Sequence, residues 1–374
     1  MAAGRRIRIL IVDDSAVMRS LLRSVVATDP GLEVAGTAAD GESALSAIAS
    51  LRPDVVLLDV EMPVMDGLAT LRKLRVQGHK TQVIMCSSLT RRGAKVTIEA
   101  LACGASDYVA KPAGQSGREA AILALSQDLI PKILALTSHP EPVIAGPPRS
   151  LLIAPMAPFP KAPPISSVPV ALAMGVSTGG PAALDILLPA LPAEFPLPVL
   201  IVQHMPELFT RLFAERLNGR CPLEVHEAVE GEPVRAGAIY IAKGNWHMEA
   251  IAGARIGSPP TLHLNQGALE NHCRPAVDVL FRSVAAVYGA GALAVVLTGM
   301  GSDGMLGCRT IRDHGGSVLA QDQATSTVWG MPGAVANSGL ANRILPLGAI
   351  APEILRLASR THSEARELRE SVVQ

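Results

Sequence analysis

The sequence predicts an α/β protein of two doubly wound domains, the first with five parallel strands and the second mostly parallel with a hairpin insert. Three observations lead there. Short Val-, Ile- and Leu-rich runs alternate with helical periodicity over residues 7 to 136, a proline-rich stretch without period follows, and the alternation resumes at Val170. At 374 residues the chain is also too long for one ordinary core, since domains run to roughly 100–200 residues.

The first strand is Ile7–Val12. It follows a basic start but is interrupted by Arg8 and ends in Asp13-Asp14, so it is too short for a signal-peptide core. Ala16–Ala27 places Val17, Leu21, Leu22 and Val25 on one helical face, and Gly41–Ser50 forms a second helix. Ser15 and Asp40 before them are N-cap residue types. Asp54–Leu58, Gln82–Cys86 and Tyr108–Ala110 read as further strands. From Pro131 to Pro169 lie eleven of the chain's 29 prolines; proline locks φ and removes donors, so this segment is expected to be extended and semi-stiff. The expected limits are a first domain over 1–130, a linker over 131–168, a second domain over 169–361 and a charged, helix-prone tail over 362–374. In the second domain, strands at Val170–Gly175, Val199–Gln203 and Leu293–Leu297 alternate with helices at Pro181–Leu191, Glu207–Leu217, Pro275–Tyr288, Met305–His314 and Ala349–Ser359. Leu223–Ala228, Ala238–Ala242 and Thr261–Leu264 are read as the hairpin insert.

Composition narrows the function. Lys+Arg and Asp+Glu both number 33, and aromatics make up 3%, which argues against nucleic acid as a partner: there is neither a basic footprint nor a supply of stacking rings. The five cysteines (Cys86, Cys103, Cys221, Cys273, Cys308) include no C-x-x-C, a usage that fits reduced thiols in the cytoplasm. No apolar stretch in the sequence reads as a membrane span, so no direct membrane insertion is expected.

Two groups of residues carry chemistry. Asp13 and Asp14 end the first strand and Asp59 the third, where three carboxylates can hold Mg²⁺ in an oxygen shell. Lys111 leaves the fifth strand and can neutralise phosphoryl oxygens, and Ser87 at the end of the fourth offers a hydroxyl. Pro112 is expected to follow a cis bond that aims Lys111. Residues 7 to about 125 resemble a response-regulator receiver domain, a flavodoxin-like fold. The resemblance implies phosphorylation at Asp59 by a histidine kinase, Mg²⁺ at Asp13, Asp14 and Asp59, and a switch at Ser87, Tyr108 and Lys111.

The second group begins at Gly175-Val176-Ser177-Thr178-Gly179-Gly180-Pro181, a serine lifted on a strand–turn–helix. Backbone N–H groups at a helix start favour a developing oxyanion, and the spacing matches G-x-S-x-G; a phosphate-binding glycine turn fits nearly as well. His204 closes the next strand, and Asp303 follows the strand Leu293–Leu297, either as the acid that orients the histidine or as an N-cap for the helix near Met305. The order Ser, His, Asp differs from ordinary α/β-hydrolases. With the Ser-Thr-Gly-Gly and Thr-Gly-Met-Gly-x-Asp-Gly signatures and the stretches 202–206, 274–281 and 330–332, it resembles chemotaxis protein-glutamate methylesterases, the CheB family, over nearly the whole chain. The resemblance implies Ser177, His204 and Asp303 as catalytic residues, Thr178 and Met300 at the oxyanion, and no cofactor for the hydrolytic step. It also implies methylated chemoreceptors as substrates, with deamidation of selected receptor glutamines. Lys243 stands where the family usually carries proline, and Cys273 precedes Arg274; both flank the expected groove. Cys273 is not expected to be a nucleophile, nor His272, Cys273 and His247 a metal site; His247 is placed on a surface hairpin. A receiver-controlled hydrolase with another substrate, or a purely binding second half, are the competing readings.

Overall fold

The computed structural model describes residues 5–112, 117–137, 165, 167–255 and 257–372. In the first unit, β1 (Ile7–Val12), β2 (Leu32–Ala38), β3 (Val55–Asp59), β4 (Gln82–Ser87) and β5 (Asp107–Ala110) pair in parallel in the order β2-β1-β3-β4-β5. The central strands are buried on both faces, as continuous apolar runs require. β2 is the strand that pattern reading left unplaced. It lies at an edge with five half-buried residues in the middle, so its sequence alternates weakly.

Helices α1 (Ala16–Val26), α2 (Gly41–Leu51), α3 (Gly67–Val76) and α4 (Arg91–Ala102) start at Ser15, Asp40, Asp66 and Thr90, whose side chains each accept a backbone N–H of the first turn. α5 (Arg118–Thr137) runs through Pro131, where the linker was expected to begin. An interior proline costs about 3 kcal/mol. Continuing the helix buries Ile133 and Leu136, and at roughly 1.5–3 kcal/mol each these two outweigh the penalty. α5 is also long and apolar enough to pass for a membrane span by length and composition, contrary to the sequence reading. Its buried stripe (Ala121, Leu125, Leu129, Ile133, Leu136) belongs to the core of the first unit, and it carries Asp128 and Lys132. Most of the expected linker, residues 138–164 and 166, lies outside the described residues.

In the second unit seven parallel strands run in the order β14-β13-β12-β6-β7-β9-β8: β6 (Ala171–Val176), β7 (Val199–Gln203), β8 (Glu224–Glu227), β9 (Ala238–Ile241), β12 (Ala292–Val296), β13 (Ser317–Gln321) and β14 (Arg343–Leu345). The antiparallel hairpin is β10 (His247–Ile251) with β11 (Thr261–Asn265). The expected insert is therefore redrawn: β8 and β9 extend the main sheet in parallel, and only Thr261–Leu264 belongs to the hairpin. All four residues of β9 are buried, the signature of a strand covered on both faces and not of a half-exposed hairpin.

The helices are α6 (Gly180–Leu187), α7 (Glu207–Asn218), α8 (Val277–Tyr288), α9 (Met305–Asp313), α10 (Met331–Asn337) and α11 (Leu347–Val372). α11 runs to Val372, into the residues assigned to a tail. β6 lies between β7 and β12, so the loops leaving the carboxyl ends of these three neighbours meet at one rim of the sheet. The two units share a core. α4 packs on α6 and α7, and one continuous apolar cluster joins Ala100, Leu101 and Tyr108 of the first unit to Leu184, Phe209 and Phe213 of the second.

Candidate functional site

At the carboxyl rim of the first sheet, Lys111 Nζ lies 2.6 Å from Asp59 Oδ1 and 2.8 Å from Asp13 Oδ2. Burial pushes the Asp59 carboxyl up to about 6 against the pull of Lys111. Lys111 is itself half-shielded, which favours its neutral form, but the two carboxylates raise its pKa above the ordinary lysine value. The expected cis bond before Pro112 is absent: among the described residues the cis peptide is Arg274–Pro275. Lysine reaches both carboxylates across a trans peptide. Carboxylate oxygens of Asp13, Asp14 and Asp59 lie within 4.8 Å of one another, and Asp13 Oδ2 is buried without an aligned hydrogen bond. An all-oxygen cluster of three carboxylates at one strand rim fits a hard divalent cation. Ser87 is fully buried beside it, its hydroxyl donating to the Ser88 carbonyl at 3.1 Å.

At the rim of the second sheet, Ser177 follows β6, and its amide donates to the Thr298 carbonyl at 3.0 Å, tying the turn to the loop after β12. Gly179 turns the chain into α6 with φ +78°, and a Cβ there would run into Thr327. At Gly299 a Cβ would come within 2.8 Å of Ser177 Cβ, so glycine lets the loop after β12 close on the serine.

His204 follows β7, and its Nε2 lies 2.8 Å from Asp303 Oδ2. Asp303 does not cap α9, whose N-cap is Gly304 with no side-chain bond. It sits instead at the start of α8, where Val277 N donates to Oδ2 at 2.7 Å and Asp278 N to Oδ1 at 3.0 Å. Asn271 Nδ2 adds a bond to Oδ1 at 2.9 Å. Burial alone would raise the carboxyl of Asp303; the bond to His204 and the backbone donors reverse this and hold it below the usual range. For His204 burial opposes charge, but the bonds to Asp303 and to Cys273 prevail and lift it to about 9.

Ser177, His204, Cys273 and Met300 line one cavity of about 740 Å³. Among the described residues no hydrogen bond joins Ser177 to His204. With Nε2 bonded to Asp303, the remaining ring nitrogen is Nδ1, and Cys273 Sγ stands 3.7 Å from it. The expected thiol at the groove's flank is thus beside the imidazole. His247 lies on the hairpin as expected but is buried, both ring nitrogens engaged by Ala268 O and Ala276 N. Lys243 pairs with Glu207 at 2.8 Å and lies over Trp246. Thr178 is buried and its hydroxyl is taken: it donates to Asp107 Oδ2 of the first unit at 2.5 Å.

That bond belongs to a larger seam. Tyr108 stacks on Phe209 with ring centroids 4.6 Å apart and planes 11° from parallel. Lys132 donates to the Tyr108 carbonyl at 2.7 Å and pairs with Asp128. Asp107, Tyr108 and Lys132 also line the cavity that holds Ser177. Tyr108, at the edge strand, is therefore buried against the second unit.

Sequence reasoning missed Asn271, Asp278 and Asp107. Asn271, in the left-handed region at φ +52°, donates to Asp278 Oδ2 as well as to Asp303. Asp278 is buried in the first turn of α8; burial raises its pKa, and Gly307 N, at 2.6 Å, partly offsets this. A helix start with an acidic residue was legible; its role in orienting another acid was not.

Comparison with known proteins agrees with both halves. The response regulator receiver family matches residues 9–122 and the CheB methylesterase family residues 172–354. A protein-glutamate methylesterase/protein-glutamine glutaminase of a Nocardioides species is 49% identical over 363 residues, covering 95% of this chain and 96% of that protein. The relative of the same name from Trichodesmium erythraeum is 45% identical over 361 residues, covering 94% and 99%. Among solved structures, the Thermotoga maritima CheB methylesterase catalytic domain is 39% identical, covers 50% of this chain and 98% of its own, and has a TM-score of 0.49. Identity near one half, sustained across both units and the join between them, leads to one conclusion: this chain belongs to the protein-glutamate methylesterase/protein-glutamine glutaminase family.

Proposed function

We propose that this chain is a phosphorylation-activated serine hydrolase that demethylates glutamate methyl esters of chemoreceptors and deamidates selected receptor glutamines. The observation that carries the reading is the bonded His204–Asp303 pair in the cavity of Ser177, with receiver residues forming part of its wall. Ser177 Oγ attacks the γ-carbonyl and gives its proton to His204 Nδ1. The carbonyl oxygen takes the negative charge at the start of α6, where backbone N–H groups and the donors proposed at Thr178 and Met300 offset it. His204 returns the proton to the departing methoxide, giving methanol, or, when glutamine is the substrate, to the departing amide nitrogen, which leaves as ammonia. A water deprotonated by the same nitrogen then splits the acyl-enzyme, releasing the glutamyl acid and restoring Ser177. Asp303 keeps Nε2 protonated and stabilises the imidazolium.

Control lies in the seam. Asp107 holds the Thr178 hydroxyl and Tyr108 packs on Phe209, so the receiver covers the serine turn. A histidine kinase supplies the phosphoryl group to Asp59. Asp13, Asp14 and Asp59 are the residues that would hold Mg²⁺, which when bound neutralises charge on the transferring group. Repacking at Ser87, Tyr108 and Lys111 then loosens the seam. We place the protein in the cytoplasm, in keeping with five cysteines that are all free.

The test is methanol collected from methylated receptor membranes, with and without acetyl phosphate and Mg²⁺. Release stimulated by the phosphodonor supports the reading; none under either condition refutes it. Ser177→Ala should lower release by at least about a thousandfold while Asp59 is still phosphorylated, and retained release would show the wrong nucleophile.

A further inference from the structure

We propose that His204 and Cys273 form an inhibitory site for a thiophilic divalent cation, with zinc the best fit. The two ligand atoms, Nδ1 and Sγ, stand 3.7 Å apart. A tetrahedral zinc bonds sulfur at about 2.3 Å and imidazole nitrogen at about 2.0–2.1 Å, which separates the two donors by roughly 3.6 Å. The side chains are already spaced as one edge of such a site.

The surroundings supply what a zinc-bound histidine ordinarily has. Its other nitrogen, Nε2, is held by the Asp303 carboxylate at 2.8 Å, and a carboxylate on the far nitrogen orients the ring and strengthens it as a ligand. Ligand-capable atoms of His204, Cys273 and Asp303 all lie within 4.8 Å of one another. The thiol is placed by a tight turn: Glu270 and Cys273 exchange both backbone hydrogen bonds, at 3.1 and 2.9 Å. The same turn is pinned to Asp303 through Asn271. Thiol and imidazole are thus set by one hydrogen-bonded unit. Cys273 is half-buried at a cavity of about 740 Å³, which leaves space for water in the remaining coordination positions.

The donor set selects the metal. Thiolate and imidazole favour zinc and other thiophilic ions, whereas the three carboxylates of the receiver suit magnesium, so the two sites need not compete. Binding converts the thiol to thiolate and, where the imidazole is charged, also displaces the proton on Nδ1; these protons go to solvent. It also occupies Nδ1, the nitrogen that takes the proton of Ser177 in the proposed hydrolysis. Inhibition rests on that reading; metal binding does not.

The full chain should be titrated with Co²⁺ or Cd²⁺ while thiolate-to-metal charge-transfer absorption is followed, and methanol release should be measured across zinc buffers. The expected result is one such band per chain that zinc abolishes (for Co²⁺) or displaces, and loss of turnover that a chelator restores. Cys273→Ala should lose the band and require at least about tenfold more zinc for inhibition. His204→Gln, read by absorption alone, should weaken binding. Far-UV circular dichroism and phosphorylation by acetyl phosphate establish that both variants fold. No band in the wild-type chain, or an equal band in Cys273→Ala, overturns the proposal. A Cys273-dependent band in a chain that never releases methanol supports the metal site and refutes the hydrolase reading instead.

Discussion

Asp303 shows how the tertiary structure decides between two roles that the sequence left open. Read along the chain, it is an acidic residue two positions before a helix, either an acid for His204 or an N-cap. In space it receives two backbone N–H groups from α8, the amide of Asn271 and the ring of His204. Four donors on one buried carboxylate favour its ionised form, and that charge in turn favours the imidazolium. A base raised to about 9 is largely protonated at neutral pH and unable to accept a proton from Ser177. Basal turnover, measured with a chelator present, should therefore rise as pH increases through 8 to 9, because only the neutral ring is active. Because Cys273 is one of the groups holding the proton on His204, Cys273→Ala should move that limb to lower pH. A profile flat between pH 7 and 10 in the wild-type chain would contradict this assignment of the base.

Among elements, strand ends and caps were readable, and pairings across the sheet were not. Ser15 and Asp40 cap as their residue types suggest, because a cap is satisfied within a few residues. β8 and β9 were assigned to a hairpin because short strands close in sequence tend to pair with each other in antiparallel fashion. The register with β7 that carries β9 into the main sheet is a long-range choice. The seam built by β5, α5, α6 and α7 carries a testable consequence. Asp107, at the start of β5, accepts from Thr178 beside the serine. A hydrogen bond to a charged group contributes about 1.5–3 kcal/mol, so Asp107→Ala should raise basal methanol release roughly tenfold without phosphodonor. Unchanged basal release in a folded variant would remove this bond from the control of the enzyme.

At the scale of the whole molecule, an apolar core shared by two units couples a phosphorylation site to a hydrolytic one. Removing the first unit, with a chain that begins near Val168, should raise basal turnover if the seam restrains the serine turn. Asp59→Asn should leave basal turnover in place and abolish stimulation by acetyl phosphate. Stimulation that survives the substitution would place the phosphoacceptor elsewhere. The two units are separated by only roughly 30 residues along the chain, which sets an effective concentration on the order of millimolar between them, so the restraint can be weak and still act. By itself, the sequence determined the two α/β units, the proline-rich stretch between them, and the residue types at the strand ends, Asp13, Asp14, Asp59, Ser177 and His204. These are local properties, set by periodicity and by turn and cap chemistry within a few residues. Only the tertiary structure decided that Asp303 faces His204 from the start of α8, that Cys273 shares the imidazole, and that Asp107 reaches Thr178. Each of those pairs is separated by some 70 to 100 residues, and what joins them is strand order and the burial of apolar faces, which no local pattern encodes.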